Sequence, residues 1–266
     1  MKSKHWILLL ELLFFLSLAY GFSPYENYLL SGKPRHAGLI ARSKPDQQEK
    51  LSECLFELTG KKGNEVLKKA GISNFSAFKK EIQGDMWFLV TFQYSGSKPY
   101  LSAAQSFESV TPELTPLLIP HPRAVGYGRR WLQMEWINYI RGLDVAREPT
   151  KIMSMVTGIK PEKESQYRTL HQTVWPGVVD QMIRGNNRNF SIFLVEIGDQ
   201  LYEFFYLEYM GQDSEKDDRM NQADPVNQRW WAQTAPCQQP LPGQKEIWTP
   251  MIPVTLKAPP KEPTND

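Results

Sequence analysis

The chain has 266 residues, 41% hydrophobic and 12% aromatic, enough apolar material for one large core or two cores of about 100 residues each. A formal net charge of +2, with no Lys/Arg-rich run of five or more, excludes the strong field that draws in nucleic acid, so no nucleic-acid partner is expected. Two cysteines, Cys54 and Cys237, cannot build a disulfide framework, and no Cys-x-x-Cys or Cys/His cluster points to a structural metal.

At the N-terminus Lys2, Lys4 and His5 precede an apolar run at residues 6–20, followed by the small-residue exit Ala19-Tyr20-Gly21. This is the layout of a secretory signal peptide. The run is shorter than the roughly 18–20 apolar residues of a spanning helix, and it contains Glu11. Residues 1–21 are therefore read as a signal peptide or a retained N-terminal anchor. The protein is expected to be exported, periplasmic or extracellular, with a membrane tether as the variant. The far end, residues 257–266, carries Pro259, Pro260 and Pro263 among charges and reads as a disordered tail.

Between these ends the chain repeats itself. Asn74-Phe75-Ser76-Ala77-Phe78 returns as Asn189-Phe190-Ser191-Ile192-Phe193, and the match continues in step through Glu81-Ile82 with Glu196-Ile197, Trp87 with Tyr202, Tyr94 with Tyr209, and Gly96 with Gly211. Upstream, Lys44-Pro45-Asp46 answers Lys160-Pro161-Glu162 with the register displaced by one. Two copies of one domain are predicted, at residues 36–145 and 150–256.

In the second copy residues 152–157 read as a strand. Lys160-Pro161 then opens a helix, because proline at the first helical position loses no hydrogen bond. Tyr167, Leu170, His171, Val174 and Trp175 follow at i, i+3, i+4, i+7 and i+8, one helical face. Pro176 pushes Trp175 out of helical backbone, so the helix breaks there and restarts towards Ile183. Residues 190–197 and 201–209 form a hairpin around Gly198-Asp199-Gln200. A helical stretch at 214–233 is interrupted by Pro225, and a last strand at 246–256 is confined by Pro250 and Pro253 to an edge or bulge. In the first copy residues 127–136 read as the closing strand.

The order β-α-β-β-α-β is the ferredoxin-like arrangement of an α+β fold, a sheet covered on one face by helices. Along 201–209, Tyr202, Phe204, Tyr206 and Glu208 alternate with Leu201, Glu203, Phe205, Leu207 and Tyr209, so neither sheet face is open to water. Tandem domains packed face to face, an intrachain pseudo-dimer, satisfy this.

Tyr167 and His171, four apart, stack on one side of a helix, and Trp175-Pro176 completes the pattern Tyr-x-x-x-His-x-x-x-Trp-Pro. With Asn189-Phe190-Ser191-Ile192-Phe193, the aromatic second hairpin strand and Gln228-Arg229-Trp230-Trp231, it resembles the L-rhamnose mutarotase family over roughly 105 residues. The resemblance implies a dimeric α+β barrel that interconverts the α and β anomers of L-rhamnose without metal or organic cofactor. It implies His171 as acid/base, Tyr167 as a hydrogen-bonding partner of the sugar, and Trp230 with Trp231 as its wall.

The chemistry agrees. Anomer exchange removes a proton from O1 and delivers one to the ring oxygen, a task for a group that titrates near neutrality, as histidine does. Tyr167 suits donation, and a tryptophan face suits the C–H side of a deoxy sugar. Adjacent helical residues point about 100° apart, so one of Trp230 and Trp231 is expected to touch the ligand. Tyr202, Tyr206, Glu196 and Glu208 are further candidates to reach the cavity, Tyr202 and Tyr206 being taken as substrate-binding.

In the first copy Leu51, Leu55 and Thr59 fall where the second has Tyr167, His171 and Trp175, so that copy is expected only to pack. His121, between Pro120 and Pro122, is its one candidate and reads as solvent-exposed. The partner expected is a monosaccharide. Two other functions fit the same residues: an exported sugar-binding module that does not catalyse, and a monooxygenase-like enzyme of the dimeric α+β barrel class.

Overall fold

A computed structural model describes residues 34–95, 98–142 and 148–254; the segments at 1–21 and 257–266 lie outside them. The first half runs β1 (Arg35–Ser43), α1 (Gln48–Thr59), α2 (Lys61–Lys69), β2 (Ile72–Ile82), β3 (Asp85–Tyr94), α3 (Ala103–Val110), β4 (Leu118–Ile119), α4 (Pro122–Val125), β5 (Leu132–Gln133) and β6 (Glu135–Ile140). The second runs β7 (Lys151–Ile159), α5 (Glu164–Gln172), α6 (Pro176–Arg184), β8 (Asn187–Ile197), β9 (Gln200–Tyr209), α7 (Ser214–Ala223), α8 (Pro225–Thr234), β10 (Gln238–Gln239), β11 (Thr249–Pro250) and β12 (Ile252–Pro253). This is the expected α+β fold of tandem ferredoxin-like units. Among the described residues no helix is long and apolar enough to cross a membrane.

The copies agree down to their irregularities. Pairing slips between Ser73 and Ser76 in β2–β3 and between Arg188 and Ser191 in β8–β9. The asparagines inside these bulges, Asn74 and Asn189, both stand at φ 51°. Asparagine tolerates left-handed backbone better than most side chains, so the repeated Asn-Phe-Ser marks the bulge itself.

Each sheet is completed by a strand from the other half. Among the described residues one six-stranded sheet has the order β12-β2-β3-β1-β4 with β5 also on β1, and the other β10-β7-β9-β8-β6 with β11 also on β7. Each closing segment begins on its own first strand and then crosses: β5 pairs β1 before β6 pairs β8, and β11 pairs β7 before β12 pairs β2. The closing strand expected at 127–136 therefore starts at Leu132, extends to Ile140, and serves mostly the opposite sheet. The strand expected at 246–256 shrinks to two short pieces because Pro250 and Pro253 have no N–H to donate.

The sheets pack face to face. Ile40, Phe78, Trp87 and Leu89 of the first meet Val156, Phe193, Tyr202, Phe204 and Tyr206 of the second in one buried cluster. Two polar ties cross it. His36 Nδ1 lies 2.7 Å from Ser191 Oγ. Glu208, fully buried, accepts from Arg188 Nε at 2.6 Å, from Asn74 Nδ2 at 2.5 Å and from the Tyr206 hydroxyl at 3.0 Å. Burial pushes its carboxyl up, but Asn74, Asn189 and Arg188 together hold it below the ordinary range.

Candidate functional site

Opposite this interface, the outer face of the second sheet and its helices enclose a cavity of about 430 Å³, within the range of small-molecule sites. The alternation of β9 decides its floor: Glu203, Phe205, Leu207 and Tyr209 line it. Tyr202 and Tyr206 point the other way, into the core between the sheets, so their expected contact with substrate is corrected. Glu208 shares that inner face, and Glu196 is exposed and ion-paired to Arg123. From the first half, Asn138 and Ile140 of β6 complete the wall.

Two helices aim the aromatic residues. On α5, Tyr167 and His171 stack with ring centroids 4.2 Å apart. The break before α6 falls where Pro176 predicts, with Trp175 in extended backbone (φ −60°, ψ 134°) as the cap. Asp224 caps α8, accepting from the backbone N–H groups of Val226 (2.8 Å) and Asn227 (3.1 Å). From that start Asn227, Trp230, Trp231 and Thr234 form one face towards the cavity. Trp230 is buried and meets His171 edge-on at 5.3 Å and Trp175 at 5.4 Å. Trp231, 42% exposed, stands at the mouth. Tyr167, His171 and Trp230 thus converge on one cavity.

His171 Nδ1 lies 3.0 Å from the Tyr167 carbonyl oxygen. A carbonyl only accepts, so Nδ1 carries the proton and Nε2 keeps its lone pair. Burial depresses the imidazole to about 4, partly opposed by that hydrogen bond, and keeps it neutral at physiological pH. Burial likewise lifts the Tyr167 phenol well above its ordinary value, helped by Glu203 beside it. The ring is therefore a donor and not a phenolate.

Glu203, 1% exposed, was absent from the candidates chosen in the sequence. Its Oε2 accepts from Gln238 Nε2 at 3.0 Å, and Tyr167 lies against it. Desolvation raises the carboxyl to about 7, with Tyr167 and Gln238 beside it opposing the rise. The signal available was a charge in the middle of a strand with both faces buried. Phe190, Phe205 and Trp248 were also missed as wall; the last two meet at 5.0 Å. Among the described residues no three of His, Cys, Asp and Glu converge as a metal-binding group. Cys54 and Cys237 are both free thiols.

The first copy fills the corresponding space. Strand pairing equates Phe88 with Glu203 and Leu118 with Gln238, while Leu51 and Leu55 stand for Tyr167 and His171; all four are buried in one apolar cluster. Phe107 lies 5.8 Å from both Phe75 and Phe92 and 5.6 Å from Trp131. His121, expected in solvent, is 4% exposed: its Nε2 lies 2.6 Å from the Glu196 carbonyl oxygen and its Nδ1 accepts from Arg123 N. It caps α4 and braces the sheets, away from the cavity.

A family model described as L-rhamnose mutarotase matches residues 153–254. An L-rhamnose mutarotase of Oceanobacillus iheyensis is 30% identical over 81 residues, which is 30% of this chain and 73% of the relative. Among solved structures, a monooxygenase-designated protein of Fusobacterium nucleatum aligns over 84% of this chain and 94% of its own, with TM-score 0.46 and 11% identity. An anthrone oxidase-like protein aligns over 83% and 91%, with TM-score 0.40 and 11% identity.

Proposed function

Since the chain belongs to the L-rhamnose mutarotase family, whose members are carbohydrate isomerases acting on a monosaccharide, we propose that it exchanges the anomers of a deoxyhexose, L-rhamnose first, in the cavity around His171. The observation that carries the reading is the state of His171: neutral, with Nδ1 committed to the Tyr167 carbonyl and Nε2 left as a base inside an aromatic-walled cavity.

In this reading Nε2 of His171 takes the proton of the anomeric hydroxyl. The O1 electron pair forms the C1=O1 carbonyl as the C1–O5 bond breaks, its pair going to O5, which the Tyr167 hydroxyl protonates. After rotation about C1–C2 the steps reverse on the other face, and each group regains its proton state. Trp230 offers its face to the C–H side and methyl of the sugar, Phe205 and Trp248 close the apolar wall, and Asn138 and Asn227 give hydroxyl partners. Enclosure by these side chains strengthens each hydrogen bond made to the sugar. The N-terminal segment fits a role outside the cytoplasm, and export belongs to the same proposal.

The test is saturation-transfer NMR on equilibrated L-rhamnose. The protein should accelerate anomer exchange above the spontaneous rate, and His171→Ala should lose about 100-fold or more of that acceleration. Binding without exchange favours a sugar-binding module. No acceleration and no binding for any hexose overturns the reading.

A further inference from the structure

Tyr167 alone is a poor source for the proton that ring opening needs, because its buried phenol is a weaker acid than free tyrosine. If the phenol gave up its proton with nothing behind it, a phenolate would be stranded in an apolar pocket. The structure puts a carboxyl beside it in the same cavity. Glu203 is buried, its Oε2 is fixed by Gln238 Nε2 at 3.0 Å, and its Oε1 has no hydrogen-bond partner. Gln238 is itself anchored in the sheet, opposite Ile159 of β7.

The comparison between the two copies makes the arrangement meaningful. At matched positions the same scaffold carries Leu51, Phe88 and Leu118 in one half and Tyr167, Glu203 and Gln238 in the other. Packing alone is satisfied by the apolar three, all at most 2% exposed. Burying a phenol, a carboxyl and an amide costs more than burying the apolar three, so packing does not account for the polar set.

We propose that Glu203 is the proton reserve of the cavity, replenishing the neighbouring Tyr167 hydroxyl as that hydroxyl protonates the departing ring oxygen. This rests on the mutarotase reading and deepens it. The step balances. His171 Nε2 gains the O1 proton, O5 gains the phenolic proton with the electron pair of the broken C1–O5 bond, and the Tyr167 oxygen gains the Glu203 proton. Glu203 is left as carboxylate and His171 as imidazolium, so the site stays neutral overall, and ring closure returns both. Glu203 acts through Tyr167 and need not touch the sugar.

Among the described residues few ionisable groups surround Tyr167 and Glu203. Tyr167 and His171 come from α5 and Cys237 from the turn before β10. β7 and β8 place Thr157 and Leu194 opposite Glu203, and neither titrates in this range. Lys151 and Asp218 also line the cavity. A carboxyl in these surroundings titrates at about 7, so the proton-bearing form is present at neutral pH and vanishes in alkali.

The experiment is the pH dependence of anomer exchange by NMR, from pH 5 to 9, for wild type, Glu203→Gln and Tyr167→Phe, with circular dichroism as the folding control. Wild type should lose its rate as pH rises through about 7. Glu203→Gln should fall by about 100-fold or more and show no alkaline decline, since an amide cannot resupply the proton. Tyr167→Phe deletes only the conduit and should show the same two changes, which keeps the proposal testable should Glu203→Gln misfold. A Glu203→Gln protein within twofold of wild type, or a slow one that keeps the alkaline decline, overturns the role of Glu203 and leaves the mutarotase reading standing. Absence of exchange in wild type removes both.

Discussion

Replacing Glu203 by glutamine is expected to stabilise the protein in alkali and to leave it nearly unchanged in acid. The carboxyl titrates at about 7 when folded against 4.5 as its ordinary value, because burial disfavours the charged form. The folded carboxyl is thus raised. Below pH 4.5 both states hold the proton and the group contributes nothing. Between 4.5 and about 7 the unfolded chain ionises while the folded one does not, so stability falls as pH rises. At about 1.4 kcal/mol per pH unit the full loss is about 3 kcal/mol, complete above the folded value. Glutamine has nearly the same shape, and its carbonyl can accept from Gln238 Nε2 as Oε2 does. Urea unfolding of wild type and Glu203→Gln at pH 4.5 and pH 8.5 measures the effect. The variant should match wild type at the lower pH and exceed it by about 3 kcal/mol at the higher, a large part of a typical domain's stability. A difference that is the same at both pH values refutes the reasoning, since it would mean that Glu203 is not buried as a neutral acid.

Three further outcomes follow from other parts of the molecule. His36, 1% exposed between the sheets, is depressed by burial from 6.5 to about 4, so stability falls as pH drops through that window. His36→Gln should reduce the acid loss by up to about 3 kcal/mol in urea titrations at pH 4.5 against pH 7, and an unchanged acid slope contradicts it. Glu208→Ala removes the buried acceptor of Arg188, Asn74 and Tyr206 and should destabilise by about 3–5 kcal/mol in chemical denaturation, whereas Glu208→Gln, which keeps an acceptor oxygen, should lose less; equal losses would show that the acceptor without its charge contributes nothing and would contradict the prediction. Phe107→Ala empties the stacked centre of the first copy and should cost about 3–5 kcal/mol in thermal or urea unfolding, while anomer exchange measured well below the melting transition stays within twofold of wild type.

The element order and the cavity helices were legible because they obey local rules. Pro161, Pro176 and Pro225 mark helix starts or breaks, and the spacing of Tyr167 and His171 fixes a shared face whatever surrounds it. The repeated asparagines were visible as a match, although that each sits in a left-handed bulge became apparent only with the dihedral angles. Three things were hidden because they depend on distant pairing. The strand exchange pairs β6 with β8, a strand some fifty residues away, which no local pattern reports. The inward and outward faces of β9 were correctly separated by alternation, but which face met the cavity depended on where the other half packed; Tyr202 and Tyr206 were chosen on the wrong side. His121 looked like a loop residue between two prolines and is buried because the strand carrying Glu196 runs past it.

The two halves divide the physical demands of a cavity protein between them. A hollow lined by Tyr167, His171, Glu203 and Gln238 gives up the packing that the first copy keeps in Leu51, Leu55, Phe88 and Leu118, and every buried polar group there weakens the fold unless it is hydrogen-bonded. The first copy offsets this through more than contact across the interface. Its strand β6 covers the β8 edge of the hollow sheet, and Arg168 of α5 is ion-paired to Glu135 on that strand, so the helix bearing Tyr167 and His171 is braced by the neighbouring half. The same strand brings Asn138 and Ile140 into the cavity wall. Residues 153–254, the stretch that matches the family, carry Tyr167, His171 and Glu203, while the outer edge of β8 and one side of the cavity are closed by β6 of the first half. The first half thus contributes to the cavity through β6, while its own apolar core, built on Leu51, Leu55, Phe88 and Leu118, is close-packed where the second half is hollow.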